Sequence, residues 1–553
     1  MIKAIQKSAL SFPLFCLFVL PLVASVVFAM RGVFDVTSWH SLFAHPQLWP
    51  ALGLSVFTGM AGASLALALA VVTVAGLYHS KSWPALSVLT SVMLAVPHLA
   101  VAIGLAFLVM PSGFVARAIS VLWTGWTLPP PWTTTHDPAG LLLVAALIIK
   151  ETPFLIWMLI SILNRADLRQ NLSHQRAVAL SLGHGAASIW LKVFLPQILP
   201  LVVWPLVIVF VYGATVVDMA LVTGPTQPPT LATLVWADIN DAQVFNNARG
   251  GVGAVFLTSV TAGVAALLWW LAKYAARWRA WLSSGPAASS AKNGEWHILT
   301  GRVPTHLTIM VFALLYLLIA AILLLLSFAA LWPFPHLWPE TLNADAWVRV
   351  WNAPSSLATS VVLAFATSCM ALVMLVGWFE SQPQARDRFV LALCVATLAM
   401  PSVLLALGQY RAFLEIGITG TVTGLFLAHL LPVTSYMFIV LAGSYRSFDP
   451  RWLACSTGLL VRFPRFFVAV KLPLLKAPLL AASAVGFAVS FAQYVPAQLV
   501  AAGRFSTLPM DAVTLTAGTN RPLTAVFSLL LMMPPLLVFS LGALWGRPRW
   551  GRA

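Results

Sequence analysis

The sequence has 553 residues, of which 60% are hydrophobic and 8% are charged, and its formal net charge is +16. These proportions lie far outside the range of soluble domains and exclude a water-soluble enzyme or binding module. The basic residues are scattered over many loops, which indicates membrane orientation and argues against a nucleic-acid partner. The sequence predicts an all-α polytopic membrane protein.

Twelve apolar segments are long enough to cross a bilayer as helices. The predicted spans are 9–30, 51–78, 84–110, 140–163, 194–222, 250–272, 305–331, 354–378, 389–410, 419–443, 474–500 and 522–545. If Lys3 and Lys7 are cytoplasmic, loops on that side hold 22 of the 31 Lys and Arg residues, opposite loops hold 7, and Lys150 and Lys476 lie inside predicted spans. This asymmetry predicts that both termini are cytoplasmic and that the first span is an uncleaved anchor.

Acidic residues occur inside two spans, and in one of them a lysine stands beside the acid. Lys150 and Glu151 stand side by side in the fourth span, and Asp218 lies in the fifth. A charge in hydrocarbon costs about 2.5–3.5 kcal/mol or more, so such groups normally face protein or a water-filled path. Lys150 and Glu151 could line a substrate path, form a buried structural pair, or lie outside a span that starts later; Asp218 could bond neighbouring Thr or backbone groups. The tenth span has His429 and Leu430 at the corresponding place, which predicts an asymmetric path.

A proline and a glycine recur with the same spacing in the two halves of the chain. Pro97 and Gly104 lie in the third span, and Pro401 and Gly408 lie in the ninth, at an offset of 304. A proline inside a span removes a backbone hydrogen bond and kinks the helix. Both spans are therefore predicted to bend at their proline.

Other landmarks extend this internal repeat. Ser55 corresponds to Ser360 at an offset of 305, and the pair Thr230-Leu231 corresponds to Thr507-Leu508 at an offset of 277. The smaller offset predicts about 27 additional residues in the first half, which the outer loop 111–139 accounts for.

A segment rich in Ser, Ala and Gly separates the two halves and has no apolar periodicity, so it reads as a linker. The predicted organisation is a first six-helix domain at 1–272, a cytoplasmic linker at 273–304 and a second six-helix domain at 305–553.

Two long polar loops, near 173–192 and 449–471, recur on the predicted cytoplasmic side. Ser173 and Asp449 can cap the start of a short helix, and Pro450 suits a first helical position. Each helix is predicted to end at a glycine, which can adopt the left-handed conformation. These glycines are Gly183 and Gly458.

The first of these loops carries a motif that extends to the next span. Gly183 is followed thirteen residues later by Pro196 of a Leu-Pro pair. This spacing resembles the cytoplasmic coupling motif of binding-protein-dependent ABC importer permeases. Where that family usually has Glu-Ala-Ala, this loop has Ala177-Val178-Ala179, so the acidic residue is missing.

The second loop admits two registers. Gly458 lies fifteen residues before Pro473, whereas a spacing of thirteen puts Leu460 at the glycine position and Ala454 at the acidic position. The sequence alone leaves both registers open.

The resemblance covers nearly the whole chain and implies two fused permease domains, as in thiamine and ferric-ion import permeases. It implies ATP-binding cassette ATPase subunits on the cytoplasmic side and a periplasmic substrate-binding protein on the other. The residues expected to form the ATPase-coupling loops are Arg176, Ala177, Ala179, Leu182, Gly183, Pro196, Ala454, Gly458 and Pro473. Without the acidic residue, docking could use Arg176, His184, Trp190, Arg462 and Arg465.

The outer loops 111–139, 223–248 and 501–521 are candidate surfaces for the binding protein. The first contains Trp123 and Trp126, which could instead anchor the chain among the headgroups of membrane lipid.

Other function classes fit less well. The sequence has no Gly-x-x-x-x-Gly-Lys-Ser/Thr motif, so ATP hydrolysis is expected in a separate subunit, and neither a catalytic residue, a metal site nor a cofactor is predicted.

Two related six-helix halves would also suit a secondary transporter of the major-facilitator plan. The inner loop from His79 to Trp83 lacks the Gly, Asp and Arg pattern expected there. An enzyme acting on lipid-linked sugars would need outer carboxylates or a phosphate-binding basic loop, and the sequence shows neither.

Overall fold

A computed structural model describes residues 2–78, 80–283, 302–458 and 462–546. Long apolar helices dominate these residues, as an apolar chain in hydrocarbon requires. Up to residue 328 the helices are α1 (Ile2–Ala29), α2 (Val36–Phe43), α3 (Leu48–Leu77), α4 (Trp83–Ala95), α5 (His98–Val109), α6 (Phe114–Ile119), α7 (Leu141–Leu163), α8 (Ala166–Ser181), α9 (Ala186–Ile189), α10 (Leu195–Thr215), α11 (Asp218–Thr223), α12 (Leu231–Ile239), α13 (Val244–Ser283) and α14 (Arg302–Phe328).

A short antiparallel pair of strands, β1 (Ala329–Leu331) and β2 (Thr341–Leu342), follows α14. The remaining helices are α15 (Asp345–Asn352), α16 (Ser355–Ser381), α17 (Asp387–Ala399), α18 (Ser402–Glu415), α19 (Val422–Arg446), α20 (Arg451–Gly458), α21 (Phe463–Phe466), α22 (Leu472–Leu474), α23 (Lys476–Phe491), α24 (Val495–Ala501), α25 (Leu508–Thr516) and α26 (Arg521–Gly546).

The predicted all-α polytopic membrane fold is confirmed. Nine helices of the described residues are long and apolar enough to cross a membrane, or up to eleven if each of two bent pairs is one span. Two shorter apolar helices, Phe15–Ala29 and Trp83–Ala95, coincide with predicted spans as well. The count of twelve spans stays a prediction.

Both predicted kinks are complete breaks between helices. α4 ends before Pro97 and α5 begins after it, and α17 and α18 flank Pro401 in the same way. Proline has no backbone N–H, and its ring clashes with the preceding turn of a helix. The helices on the two sides of Pro401 are bent by 101°.

The chain packs as two compact units, and these do not coincide with the two sequence halves. One unit comprises Met1–Phe34, Ala95–Ala100 and Ala344–Ala553, and the other comprises Asp35–Leu94 and Val101–Asn343. The first helix of each half, α1 or α14, therefore packs with helices of the other half. The predicted division of the chain at 273–304 therefore describes the sequence repeat and does not separate the two compact units.

The glycine of the repeated motif lies where this first helix packs. A Cβ atom at Gly408 would overlap the carbonyl oxygen of Ser25 in α1, and one at Gly104 would overlap Cγ2 of Ile319 in α14. At Gly408 only glycine lets the α1 backbone approach so closely, whereas at Gly104 the close neighbour is a side chain. The shared spacing of proline and glycine thus combines a helix break with a close helix contact.

Three long helices form the centre of each unit, namely α3, α7 and α10 in one and α16, α19 and α23 in the other. The sequence landmarks of the repeat make equivalent hydrogen bonds. The backbone N–H of Leu231 donates to Oγ of Ser55, and that of Leu508 donates to Oγ of Ser360, both at 2.8 Å. The corresponding residues are thus also equivalent in geometry.

Two predicted boundaries are wrong. The fifth span was expected to continue to residue 222, but α10 ends at Thr215 and Asp218 begins the separate helix α11. The eleventh was expected to continue to residue 500, but α23 ends at Phe491 and α24 begins separately at Val495. The sixth was expected to end at 272, and its candidate membrane span ends close by at Tyr274, while the helix α13 itself continues to Ser283 into the start of the predicted linker. Residues 284–301 of the linker lie outside the described residues.

Candidate functional site

The first predicted coupling loop is built on α8. The helix begins at Ala166, so the predicted cap at Ser173 is wrong. Ser173 lies inside the helix, where its hydroxyl donates to the carbonyl of Gln170 at 2.7 Å. Charged and polar residues fill the preceding turns, and this composition favours continued helix in water over a start at the later serine.

The predicted glycine end of this helix is confirmed at Gly183, whose φ is +81°. The N–H of His184 donates to the carbonyl of Ala179, and that of Gly183 donates to the carbonyl of Leu180, both at 3.0 Å. This pair of bonds satisfies carbonyl groups at a helix end and defines the Schellman motif. No described atom lies within 4 Å of a Cβ built on Gly183, so backbone conformation alone demands glycine here.

Opposite faces of α8 have different environments. Leu172 and Ala179 are buried in the core of their unit. Val178 and Leu182 are 60% and 71% exposed, and Ala177 is also exposed. Because α8 is not one of the membrane-spanning helices, these apolar side chains form a surface that suits a protein partner.

Arg176 is half-buried beside the end of α3. The guanidinium groups of Arg169 and Arg176 lie near the hydroxyl of Tyr78. Burial raises the pKa of this hydroxyl, and the two positive charges offset only part of the increase. Trp190, by contrast, is buried and packs on Tyr78 and Phe194 with ring centroids 6.1 and 5.4 Å away. The hypothesis that Trp190 docks a partner is therefore wrong, because its ring belongs to the core.

The second predicted loop begins as expected. The Asp449 carboxylate accepts a hydrogen bond from the N–H of Arg451 at 2.8 Å, at the start of α20. Trp452 is 52% exposed, and Ala454 is exposed beside it. The side-chain surroundings of Gly458, the end of this loop's helix and Leu460 lie outside the described residues.

Both loops lead back towards a span through a π-helical turn. These turns are Trp190–Phe194 and Phe467–Lys471, and the offset between them is 277 residues. Pro196 and Pro473 follow at the same offset. The equivalence established at the two prolines therefore extends to the preceding turns, which supports the register that aligns Ala454 with Ala177.

An ionic network supports the second loop where the first has aromatic packing. Lys471 donates to the carboxylate of Glu380, to which the hydroxyl of Tyr445 also donates. Arg446 makes a bidentate pair with Asp387 at 2.7 and 2.9 Å. Lys471 and Glu380 are 15% and 20% exposed, so their attraction is less screened than at a protein surface.

The Lys150 side chain is buried and bonds the end of the helix that precedes a helix break. Its ammonium group donates to the carbonyl of Met93 at 2.9 Å and to that of Leu94 at 3.3 Å, in the last turn of α4. Pro97 lacks the N–H that the Met93 carbonyl would otherwise accept from. Since α7 begins at Leu141, a later start of the span does not explain the charge.

Glu151 is buried beside Lys150, whereas Asp218 is partly exposed at the first position of α11. The structure therefore places Lys150 and Glu151 within a long helix and Asp218 after one has ended.

A second buried polar cluster occupies the unit that contains most of the second half. Oγ of Ser490 lies 3.0 Å from Oγ1 of Thr367 and 3.1 Å from Nδ1 of His429. The side-chain amide of Gln493 donates to the carbonyl of His429 at 3.3 Å. Among the described residues, neither Nε2 of His429 nor Oε1 of Gln493 has a hydrogen-bond partner, although both atoms are buried. Such an atom typically costs about 1–3 kcal/mol.

No family model matches the sequence. The chain is 27% identical to the inner membrane ABC transporter permease protein YnjC of Escherichia coli (strain K12) over 524 residues, which cover 95% of this chain and 93% of that protein. This similarity supports an ABC transporter permease. It supports a multi-pass protein of the inner membrane, and a permease of this class implies a separate ATPase partner subunit.

Sequence reasoning missed two features of this chain. Glu380 and Lys471 are 91 residues apart, and the sequence has no local signal that pairs them. Ser490 and Gln493 could have been found through the repeat, because an offset of 277 aligns them with Gly213 and Val216, which carry no polar side chain.

Proposed function

We propose that this chain is the membrane-spanning subunit of an ATP-driven, binding-protein-dependent importer. It moves a small solute across a bacterial inner membrane, with both termini in the cytoplasm and two six-helix domains, 1–272 and 305–553, joined by a cytoplasmic linker. The observation that carries the proposal is the helix α8, which ends at the left-handed Gly183 and exposes Val178 and Leu182 outside the spans.

Each loop contacts an ATPase subunit and transmits its movement to the membrane helices. The residues that form this contact surface are Arg176, Ala177, Leu182 and Gly183 in the first loop and Ala454 and Gly458 in the second. Ala179, Pro196 and Pro473 position the loops, because Ala179 faces the core and the prolines begin the return to the membrane. ATP shifts the permease between outward-open and inward-open states only if the ATPase binds these states unequally.

The binding protein delivers solute at the outer loops 111–139, 223–248 and 501–521. In the first of these, Trp123 is 83% exposed and Trp126 stacks edge-on against Trp132 at 5.3 Å. Such rings suit either a protein contact or an anchor among lipid headgroups. Thiamine-like cations and ferric iron are the candidate solutes, on the resemblance to fused permeases alone.

Lys150, Glu151 and Asp218 have separate proposed roles. Lys150 satisfies carbonyl groups at the end of α4, where the third span breaks, and Glu151 beside it limits the cost of the buried positive charge. Asp218 begins a short helix after α10 has ended, where a chain break at membrane depth suits a path lining.

Purification of the affinity-tagged chain from its native host tests the proposal. We expect an ATPase subunit to copurify in stoichiometric amount after gentle extraction in detergent. Recovery of the chain alone, together with solute uptake that follows a proton or sodium gradient and ignores ATP, would establish a secondary transporter instead.

A further inference from the structure

The buried cluster around His429 contains two hydrogen-bonding positions that the described residues leave unfilled. His429 is 1% exposed, and its Nδ1 atom faces Ser490. In either imidazole tautomer the Nε2 atom can still form a hydrogen bond, as a donor in one tautomer and as an acceptor in the other. Gln493 adds an acceptor, Oε1, and its amide nitrogen bonds the backbone of His429 itself. The two atoms thus belong to neighbouring groups.

Packing of the helices does not require polar side chains at the positions of Ser490 and Gln493. In the first half, the positions equivalent to Ser490 and Gln493 are Gly213 and Val216, at an offset of 277. The same three-helix arrangement forms around those residues without a polar side chain at either place. The fold therefore does not explain why positions 490 and 493 carry polar side chains.

The position of Gln493 in the chain points to a path. It lies between the end of α23 at Phe491 and the start of α24 at Val495. Non-helical backbone at membrane depth is tolerated only where protein buries it or where it lines a water-filled cavity. A polar side chain at such a break can meet a solute that passes through the membrane.

The side chains of the cluster itself favour an uncharged group. Glu380 on α16 is thirteen residues from Thr367, and Arg446 on α19 is seventeen residues from His429. At a rise of 1.5 Å per residue these charges lie roughly 20 and 25 Å away along their helices. The cluster itself contains an imidazole, an amide and two hydroxyl groups, and it has no carboxylate to balance a cation or hold a metal ion.

We propose that His429 and Gln493 form a subsite for an uncharged polar group of the transported solute. Oε1 of Gln493 accepts from an N–H or O–H of that group, and Nε2 of His429 bonds its second polar position. Amides, hydroxyl compounds and nitrogen heterocycles with an adjacent amino group have this pattern, and a bare metal ion does not. This inference rests on the proposed transport function and narrows its solute to an organic compound.

Thiol alkylation tests whether the subsite is reachable and prefers a neutral amide. Cys16, Cys369 and Cys394 are replaced by Ala, and the exposed Cys455 is kept as a reference for the intrinsic rates. Gln493→Cys is then treated with iodoacetamide or iodoacetate, which differ only in carrying an amide or a carboxylate. Ser435→Cys is the matched control, because Ser435 is buried on α19 and its hydroxyl donates to the Leu431 carbonyl.

We expect Gln493→Cys to react with iodoacetamide at least about tenfold faster than Ser435→Cys in the full complex. Its preference for iodoacetamide over iodoacetate is expected to exceed that of Cys455 and to fall when His429→Leu is added. Labelling as slow as at Ser435→Cys in both the nucleotide-free and the ATP-bound complex would overturn the proposal. A preference for iodoacetamide over iodoacetate that stays the same when His429→Leu is added would also overturn the proposal.

A second measurement separates binding from a structural role. The double variant His429→Leu with Gln493→Val carries at position 493 the residue found at 216, and we expect it to melt at or above the temperature of the unmodified chain. A melting temperature lower by more than about 5 °C would make the cluster a structural one. Because the labelling is measured on a complex already recovered with its ATPase, its failure is distinct from the absence of an ATPase partner.

Discussion

Two prolines in the predicted spans leave carbonyl groups without their usual donor, and side chains from neighbouring helices replace it. Pro97 frees the carbonyl of Met93, which accepts from Lys150. Pro153 frees the carbonyl of Ile149, which accepts from the hydroxyl of Tyr316 at 3.2 Å. An unsatisfied carbonyl in hydrocarbon is costly, so the position of each proline explains a polar residue elsewhere in the sequence.

Replacement of Lys150 tests this explanation at a single side chain. Lys150→Met keeps the length of the side chain but removes the donor to Met93 and Leu94, and we expect a loss of about 1.5–3 kcal/mol in stability. The apparent melting temperature of the purified protein measures the loss. Lys81→Met, at an exposed position, is the control and is expected to melt unchanged. Equal melting temperatures for the two variants would show that the Lys150 hydrogen bonds to Met93 and Leu94 do not stabilise the protein.

Close approach at Gly408 gives a second prediction. Gly408→Val places methyl groups where the α1 backbone lies, so we expect a marked loss of monodisperse protein in detergent. Gly443→Val, in the interior of α19, is the control, since no described atom lies within 4 Å of a Cβ there. Similar yields from both variants would show that α1 does not need the glycine.

The two loop helices, α8 and α20, are attached to the membrane helices by different chemistry. Leu172 and Ala179 bury one face of α8. The segment after α20 instead depends on the pair of Lys471 and Glu380, to which Tyr445 adds a hydrogen bond. An apolar contact tolerates small sliding, whereas a charged pair in a fixed geometry does not. The second loop is therefore expected to be the more rigid of the two.

A double-mutant cycle measures the ionic attachment. Glu380→Gln or Lys471→Met alone leaves one partly buried charge without its opposite partner, so each is expected to lower the melting temperature. The double variant is expected to lose less than the sum of the two, with a coupling of about 1–3 kcal/mol. Additive losses would show that the two charges do not stabilise each other.

Across the whole molecule, local signals predicted more than long-range ones. The lengths of the apolar segments predicted the long apolar helices. The recurrence of the Pro97 and Gly104 spacing predicted the internal repeat and both helix breaks. The sequence did not predict that α1 and α14 each pack in the unit formed mainly by the other half of the chain. Contacts such as that of Gly408 with Ser25 join residues far apart in the sequence and leave no local pattern. The polar groups of Lys150 and His429 were visible in the sequence, but their partners depend on packing.

The recovery of an ATPase subunit with variants of the tagged chain tests most directly whether α8 is the coupling element. Gly183→Val forces a β-branched residue to a φ of +81°, whereas Gly185→Val meets open space at a glycine without positive φ. We predict that Gly183→Val inserts normally but recovers at least about tenfold less ATPase, and that Gly185→Val recovers it fully. Full recovery with Gly183→Val would contradict the account.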